Sequence, residues 1–119
     1  MGVYEPAFSL RERVVRGAVV VELTGEIDIL AEQRLAPLLE ALAGRSREVL
    51  VIDLRHVTFI DASGVRLLLR ARDRVVRGGG RLRVVRGGAT VAKVIRIAGV
   101  EPAFTWLDGF PAALGGVPA

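Results

Sequence analysis

Few side chains in this 119-residue sequence can carry out covalent chemistry. It has no cysteine, one histidine (His56), one lysine (Lys93) and three serines. The lack of thiols excludes disulfides, thiolate metal sites and cysteine nucleophiles. A serine nucleophile needs a positioned base, and His56 is the only imidazole, with no Gly-x-Ser-x-Gly elbow near any serine. We therefore expect a protein that is not an enzyme.

Two further chemistries, phosphate acceptance by an aspartate and phosphate binding by a glycine loop, also fit poorly. Asp53, at the expected end of a strand, resembles the phospho-acceptor of a response-regulator receiver. A receiver also needs an acidic pair after its first strand and a later lysine, and Lys93 falls within a predicted helix instead. The glycine runs at Gly78 and Gly87 lack the Gly-Lys-Ser/Thr ending of a phosphate-binding loop. No metal or cofactor site is predicted.

The most informative stretch, residues 49–69, places a serine at the expected start of a helix. Asp61 or Ser63 can cap the free N–H groups of that helix, and Gly64 allows other backbone to approach closely. We expect Ser63 to be exposed at the positive end of the helix, beside the carboxyl end of a strand, where open α/β sheets place their sites. On spacing alone, Asp61 and Ser63 could equally be helix caps and nothing more.

The elements around this stretch alternate in type, in the order β-β-α-β-α-β-α-β. Arg16-Gly17 separates two β-rich runs and predicts an N-terminal hairpin. Asp28 is a candidate cap for the first helix, whose start Pro37 interrupts or delays. The predicted strands are residues 8–15, 18–24, 48–53, 81–86 and 104–106, and a short apolar segment at 57–60 follows the third strand. The predicted helices are an apolar stripe from Leu35 to Gly44, residues 63–77 and residues 89–98.

This order predicts one α/β domain with a mixed, mostly parallel sheet of about five strands covered by three to four helices. We expect its core to span about residues 8–107, with residues 1–6 and 109–119 as frayed tails. One face of the second helix is apolar at Gly64, Leu67, Leu68, Ala71 and Val75, whereas the opposite face carries Arg66, Arg70, Asp73 and Arg77.

The net charge of +4 and the pI near 10.9 raise the question of an anionic partner. The densest arginine group, residues 66–83, contains no aromatic residue, whereas single-stranded nucleic-acid grooves usually interleave aromatics with the charges. A solvated basic face is therefore expected, with no nucleic-acid partner. No signal peptide or membrane span is predicted, so we expect a cytoplasmic protein without a membrane partner, and a monomer by default.

Three segments resemble successive motifs of the STAS domain family, in particular its bacterial anti-sigma-factor antagonists. They are residues 23–28 (LTGEID), 51–54 (VIDL) and 57–64 (VTFIDASG), and the resemblance extends over about residues 8–106. In that family an anti-sigma factor with kinase activity phosphorylates the serine before the glycine, which maps onto Ser63. The resemblance implies that the unphosphorylated protein binds the anti-sigma factor and frees the sigma factor, whereas phosphorylation breaks that complex.

The same resemblance implies the remaining partners, and the extent of the site is our hypothesis from the charges and helix ends around Ser63. The partner kinase would bind ATP, this chain would bind no cofactor, and a phosphatase could reset Ser63. A phosphate adds about −1.5 to −2 charges, the helix N-terminus favours an anion, and Arg66 could pair with it, so the fold should survive phosphorylation. We expect the partner-binding surface to comprise Asp28, Thr58, Asp61, Ala62, Ser63, Gly64, Arg66 and Arg70.

Two positions depart from the common family pattern. Many members have a second hydroxyl residue where Ala62 stands and an apolar or small residue where Arg66 stands. Ala62 leaves Ser63 as the sole acceptor, and Arg66 could select a partner with acidic residues. The alternative function is a STAS scaffold or sensing module that is never phosphorylated and works in a stressosome-type or transporter-associated complex.

Overall fold

The computed structural model describes residues 7–45 and 49–109 and confirms the predicted order of elements. A single 3-10 turn, Glu101–Ala103, precedes the last strand. The expected tails lie outside the described residues, except for residue 109. In chain order the elements are β1 (Phe8–Val15), β2 (Ala18–Ile27), α1 (Ile29–Arg45), β3 (Val49–Ile60), α2 (Ala62–Arg77), β4 (Arg81–Val85), α3 (Ala89–Ile97) and β5 (Thr105–Leu107).

The five described strands form one mixed sheet in the order β1-β2-β3-β4-β5. Only β1 and β2 are antiparallel, and the other neighbouring pairs are parallel. Arg16 (φ 51°) and Gly17 (φ 82°) form the turn between β1 and β2. Two consecutive residues with positive φ match the twist of a two-residue hairpin, so the predicted hairpin is confirmed.

The larger apolar cluster lies between the sheet and the helices. It contains residues of α1, α2 and α3 together with alternate residues of the strands, such as Leu23, Leu50 and Ile52. The intervening strand residues point to the opposite face, where Ala18, Val20, Val49, Val51 and Val85 form a smaller cluster. The predicted apolar face of α2 is buried and its predicted charged face is exposed.

Two strands run further than the sequence pattern predicted. We expected strand ends at Thr24 and Asp53, but β2 continues to Ile27 and β3 to Ile60. Register shifts on both sides of Gly25 let the β2–β3 pairing resume beyond it. Gly25 has φ 87°, and the carbonyl of Ala7 occupies the position that a β-carbon would take. The extension carries the ends of both strands to the starts of the two following helices.

Helix α1 also differs from the prediction, because it begins before Pro37 and passes through it. Its first turn is capped by Asp28, whose Oδ1 accepts a hydrogen bond of 3.1 Å from the Ala31 amide, as predicted. Pro37 and Leu38 are exposed, whereas Ala36 before them and Leu39 after them are buried in the core. Burial of this apolar stripe outweighs the lost backbone hydrogen bond, which is why the helix continues.

Asp53 lies in the middle of β3 and not at the end of a strand. It is fully buried, and Arg55 donates to both of its carboxylate oxygens, with Nη2–Oδ2 at 2.9 Å and Nε–Oδ1 at 3.1 Å. The hydrogen bond to Asp53, together with the charges of Asp53 and Glu22, raises the pKa of Arg55. This arrangement makes Asp53 a structural carboxylate, unlike an accessible phospho-acceptor.

Candidate functional site

The candidate site lies where two neighbouring parallel strands pass into two helices. Ile27 at the end of β2 pairs with Ile60 at the end of β3. Asp28 then caps α1 and Asp61 caps α2, and the two helices pack against each other. Two helix N-termini, each with a partial positive charge, are therefore brought to the same edge of the sheet.

Asp61 and Gly64 determine how α2 begins. Asp61 Oδ1 accepts hydrogen bonds from the amides of Ser63 (2.9 Å) and Gly64 (3.2 Å), so Asp61 is the N-cap. A β-carbon on Gly64 would lie 2.5 Å from the Ile27 carbonyl oxygen and 2.5 Å from Ile60 Cγ1. The predicted close approach at Gly64 is confirmed, because only a glycine lets α2 start this near to the ends of β2 and β3.

Ser63 is the second residue of α2, and its side chain is not free. The residue is only 7% exposed, and its Oγ accepts a hydrogen bond of 2.9 Å from Arg66 Nη2. Arg66 follows by three residues and therefore lies on the same side of the helix. The expectation that Ser63 would be exposed is wrong, because this arginine reaches back to its hydroxyl group.

A chain of ion pairs links Arg66 to α1. The same guanidinium donates to both oxygens of Glu32, through Nε and Nη2, each at 3.2 Å. Glu32 also lies 3.9 Å from Arg70 Nη1, and Arg70 Nη2 donates to Glu40 at 3.1 Å. Sequence analysis missed Glu32, since 34 residues separate it from Arg66 and only the packing of α1 on α2 reveals the pair.

The other predicted site residues occupy the surroundings of this cluster. Asp61, Ser63, Gly64 and Arg66 are in direct contact as described above, and Arg70 joins them through Glu32. Ala62 is the exposed first residue of α2, Asp28 starts the adjoining helix, and Thr58 is an exposed residue of β3.

Sequence analysis also did not predict that apolar residues are exposed at the edge of the sheet where β2 and β3 end. Ile29, the first residue of α1, is 57% exposed, and Phe59, the residue before the end of β3, is 45% exposed. Leu30 is exposed as well. Their exposure could not be read from the pattern, since apolar residues at element ends are expected inside. Apolar surface beside polar groups is typical of a protein-binding site.

The chemistry available at this cluster is limited to one hydroxyl group, carboxylates engaged in hydrogen bonds, and arginine. Within residues 7–45 and 49–109, no group of three or more His, Cys, Asp or Glu residues is placed to hold a metal ion. None of the helices in these two ranges is long and apolar enough to cross a membrane. The cluster is suited to accepting a group or binding a partner.

The chain belongs to the STAS domain family, whose model matches residues 10–111. This confirms the resemblance noted in the three motifs.

Solved structures with the same fold include anti-sigma-factor antagonists. The antagonist from Mycobacterium paratuberculosis has a TM-score of 0.82 and 26% identity, over 97% of this chain and 98% of that one. The phosphorylated Bacillus cell fate determinant SpoIIAA has a TM-score of 0.68 and 26% identity, over 90% and 95% of the chains. Unphosphorylated SpoIIAA has a TM-score of 0.73 at 24% identity, over 95% and 100%.

Proposed function

We propose that this protein is an anti-sigma-factor antagonist that is switched by phosphorylation of Ser63. The unphosphorylated form binds an anti-sigma factor that is also a serine kinase, and the sigma factor is released. Family membership and the similarity to antagonist structures support the proposal. The observation that carries it is the position of Ser63 at the start of α2, beside a second helix N-terminus and exposed apolar residues.

The chemical step belongs to the partner. The kinase binds ATP and transfers its γ-phosphoryl group to Ser63 Oγ, so that an O–P bond forms, the bond to the β-phosphate oxygen breaks, and ADP leaves. The hydroxyl proton passes to a base on the kinase. Hydrolysis by a phosphatase would restore the serine. In this scheme the chain is a substrate and a binding protein, it is not an enzyme, and it acts in the cytoplasm, where ATP is available.

Phosphorylation would end binding at the interface while the fold persists. A phosphate on Ser63 places about −1.5 to −2 charges at the edge of the sheet that also exposes Ile29 and Phe59, which a partner would cover. Burying an incompletely paired charge under a partner costs several kcal/mol, and 1.4 kcal/mol already changes an affinity about tenfold. One phosphate would therefore lower the affinity by about a hundredfold or more.

The test is phosphorylation by a candidate anti-sigma kinase with ATP, followed by mass spectrometry of the peptide that contains Ser63. Ser63→Ala is the matched control: it should bind the kinase and take up no phosphate. Ser63→Asp should keep its melting temperature and lose binding. Uptake of phosphate at another residue, or undiminished binding by the authentic phosphoprotein, would refute the proposal.

A second function, a STAS scaffold or sensing module that is never phosphorylated, is favoured by one observation. Ser63 is nearly buried and its Oγ is already hydrogen-bonded to Arg66, so a kinase must first displace that arginine. A scaffold of a stressosome-type or transporter-associated complex would show no phosphate on Ser63 with any kinase, and Ser63→Asp would leave its assembly unchanged.

A further inference from the structure

We infer that Arg66 is the internal ligand of a phosphate on Ser63, and that this phosphate takes Arg66 away from Glu32. The inference rests on the proposed function, because it concerns the phosphorylated form of Ser63. It assigns a role to Arg66 beyond its ion pair with Glu32, and it assigns a role to a carboxylate that the sequence motifs do not include.

The backbone at the start of α2 has little left to offer a phosphate. The amides of Ser63 and Gly64 already donate to Asp61 Oδ1, and the Val65 amide donates to the Asp61 carbonyl in the first bond of the helix. The Asp61 carboxylate also repels a second anion at short range. A positive side chain is therefore needed to neutralise a phosphate here.

Arg66 is placed to be that side chain. Its Nη2 lies 2.9 Å from Ser63 Oγ, the atom that would carry the phosphorus. A phosphate on Oγ extends three strong acceptor oxygens from this point, and a guanidinium binds phosphate through two parallel N–H donors. The Arg66 side chain is 54% exposed, so it can reorient without disturbing the core.

Glu32 competes for the same donors. Its two carboxylate oxygens now accept from Nε and Nη2 of Arg66, and Nη2 is shared with Ser63 Oγ. A phosphate carries up to twice the charge of a carboxylate, so it should win this competition. Glu32 is mostly buried, at 12% side-chain exposure, and it keeps a cation nearby because Arg70 Nη1 lies 3.9 Å away.

The exchange determines where the new negative charge appears. In the unphosphorylated protein Arg66 and Glu32 neutralise each other. After the exchange, part of the phosphate charge is cancelled by Arg66, and the Glu32 carboxylate on α1 depends on Arg70, which also binds Glu40. A single modification on α2 would thus change the charge presented by both helices to a partner.

The experiment uses the full chain with phosphoserine installed at position 63 by genetic code expansion, so that no kinase is needed. The second ionisation of the phosphate is followed by ³¹P NMR between about pH 4 and 8, on both sides of the expected midpoints, in the wild type, Arg66→Ala, Glu32→Gln and the double variant. The charged groups on the elements around the phosphate are Asp28 at the cap of α1, Asp61 at the cap of α2, Glu32 on α1, and Arg66 and Arg70 on α2. The double-mutant cycle removes the charges of Arg66 and Glu32, singly and together.

We expect the midpoint in Arg66→Ala to lie near the value of about 6 for a free phosphoserine, and the wild-type midpoint to lie about half a unit lower. Glu32→Gln should lower it further, and by more when Arg66 is present than when it is absent. Equal midpoints in the wild type and Arg66→Ala would refute the role of Arg66. An equal effect of Glu32→Gln with and without Arg66 would refute the exchange, since simple charge repulsion would then explain it.

Two controls keep the result interpretable. Arg96→Ala removes the same charge from an exposed position on α3 and should leave the midpoint unchanged. Arg66→Lys retains the charge without the paired donors and should give an intermediate midpoint, and it replaces Arg66→Ala if that variant fails to fold. Because the phosphate is installed without a kinase, the outcome is separate from whether an anti-sigma kinase recognises Ser63.

Discussion

Replacing Gly64 with alanine should destabilise the protein, although the same change favours an isolated helix. Alanine is better than glycine in a helix interior by about 1 kcal/mol. At Gly64, however, the added β-carbon would lie 2.5 Å from the Ile27 carbonyl oxygen and 2.5 Å from Ile60 Cγ1. Such overpacking costs about 1–3 kcal/mol, with the upper value expected against backbone. The net loss in the free energy of unfolding is then about 2 kcal/mol.

Gly44→Ala is the matched control, because Gly44 is also helical and its nearest neighbour is the flexible end of Arg74 at 3.0 Å. That variant should be neutral or gain up to about 1 kcal/mol. Thermal unfolding followed by far-ultraviolet circular dichroism measures both. At about 4 °C for each kcal/mol in a chain of this size, Gly64→Ala should melt about 8 °C below the wild type. A Gly64→Ala melting temperature at or above that of the wild type would show that α2 does not depend on this close approach.

The remaining predictions concern single contacts. Asp61→Ala should cost about 1 kcal/mol by removing the cap of α2, whereas Asp61→Asn should retain most of it, and equal melting temperatures of the two variants would contradict the capping role. Arg55→Ala leaves the buried Asp53 without its main donor and should cost about 2 kcal/mol in urea unfolding, more than the same change at exposed Arg96. Leu68→Ala, at a fully buried position, should cost about 2–5 kcal/mol, and a loss below 1 kcal/mol would mean that the core there is loosely packed.

The start of α2 shows which parts of the site are readable from local spacing. Asp61 bonds to amides two and three residues away, and Ser63 and Gly64 follow directly, so a cap, a hydroxyl group and a close approach were all predictable. The exposure of the Ser63 side chain was not predictable from local spacing. It depends on the rotamer of Arg66, which in turn depends on Glu32 in another helix.

The strand ends illustrate the same limit in the fold. Gly25 and Asp53 interrupt the apolar pattern, and a local interpretation ends the strands there. Pairing continues because Asp53 pairs with Glu22 and the residues from Thr24 to Ile27 still find partners on β3, while residues such as Leu23 are skipped at bulges that absorb the irregularity. Pro37 shows the same limit in a helix, because burial of the apolar stripe of α1 decides whether the helix continues through the proline.

The sequence by itself determined the order of the elements, the hairpin and the apolar faces of the helices, and its motifs identified the STAS family and singled out Ser63 as the proposed phosphorylation site. The elements, the hairpin and the helix faces follow from periodicity, turn chemistry and contacts within a few residues, whereas the choice of Ser63 rests on the resemblance to the family. Only the tertiary structure decided that Ser63 is covered by Arg66, that Glu32 holds this arginine, and that Asp53 is buried. Those outcomes depend on contacts between separate elements, and between α1 and α2 the partners lie 34 residues apart in the chain.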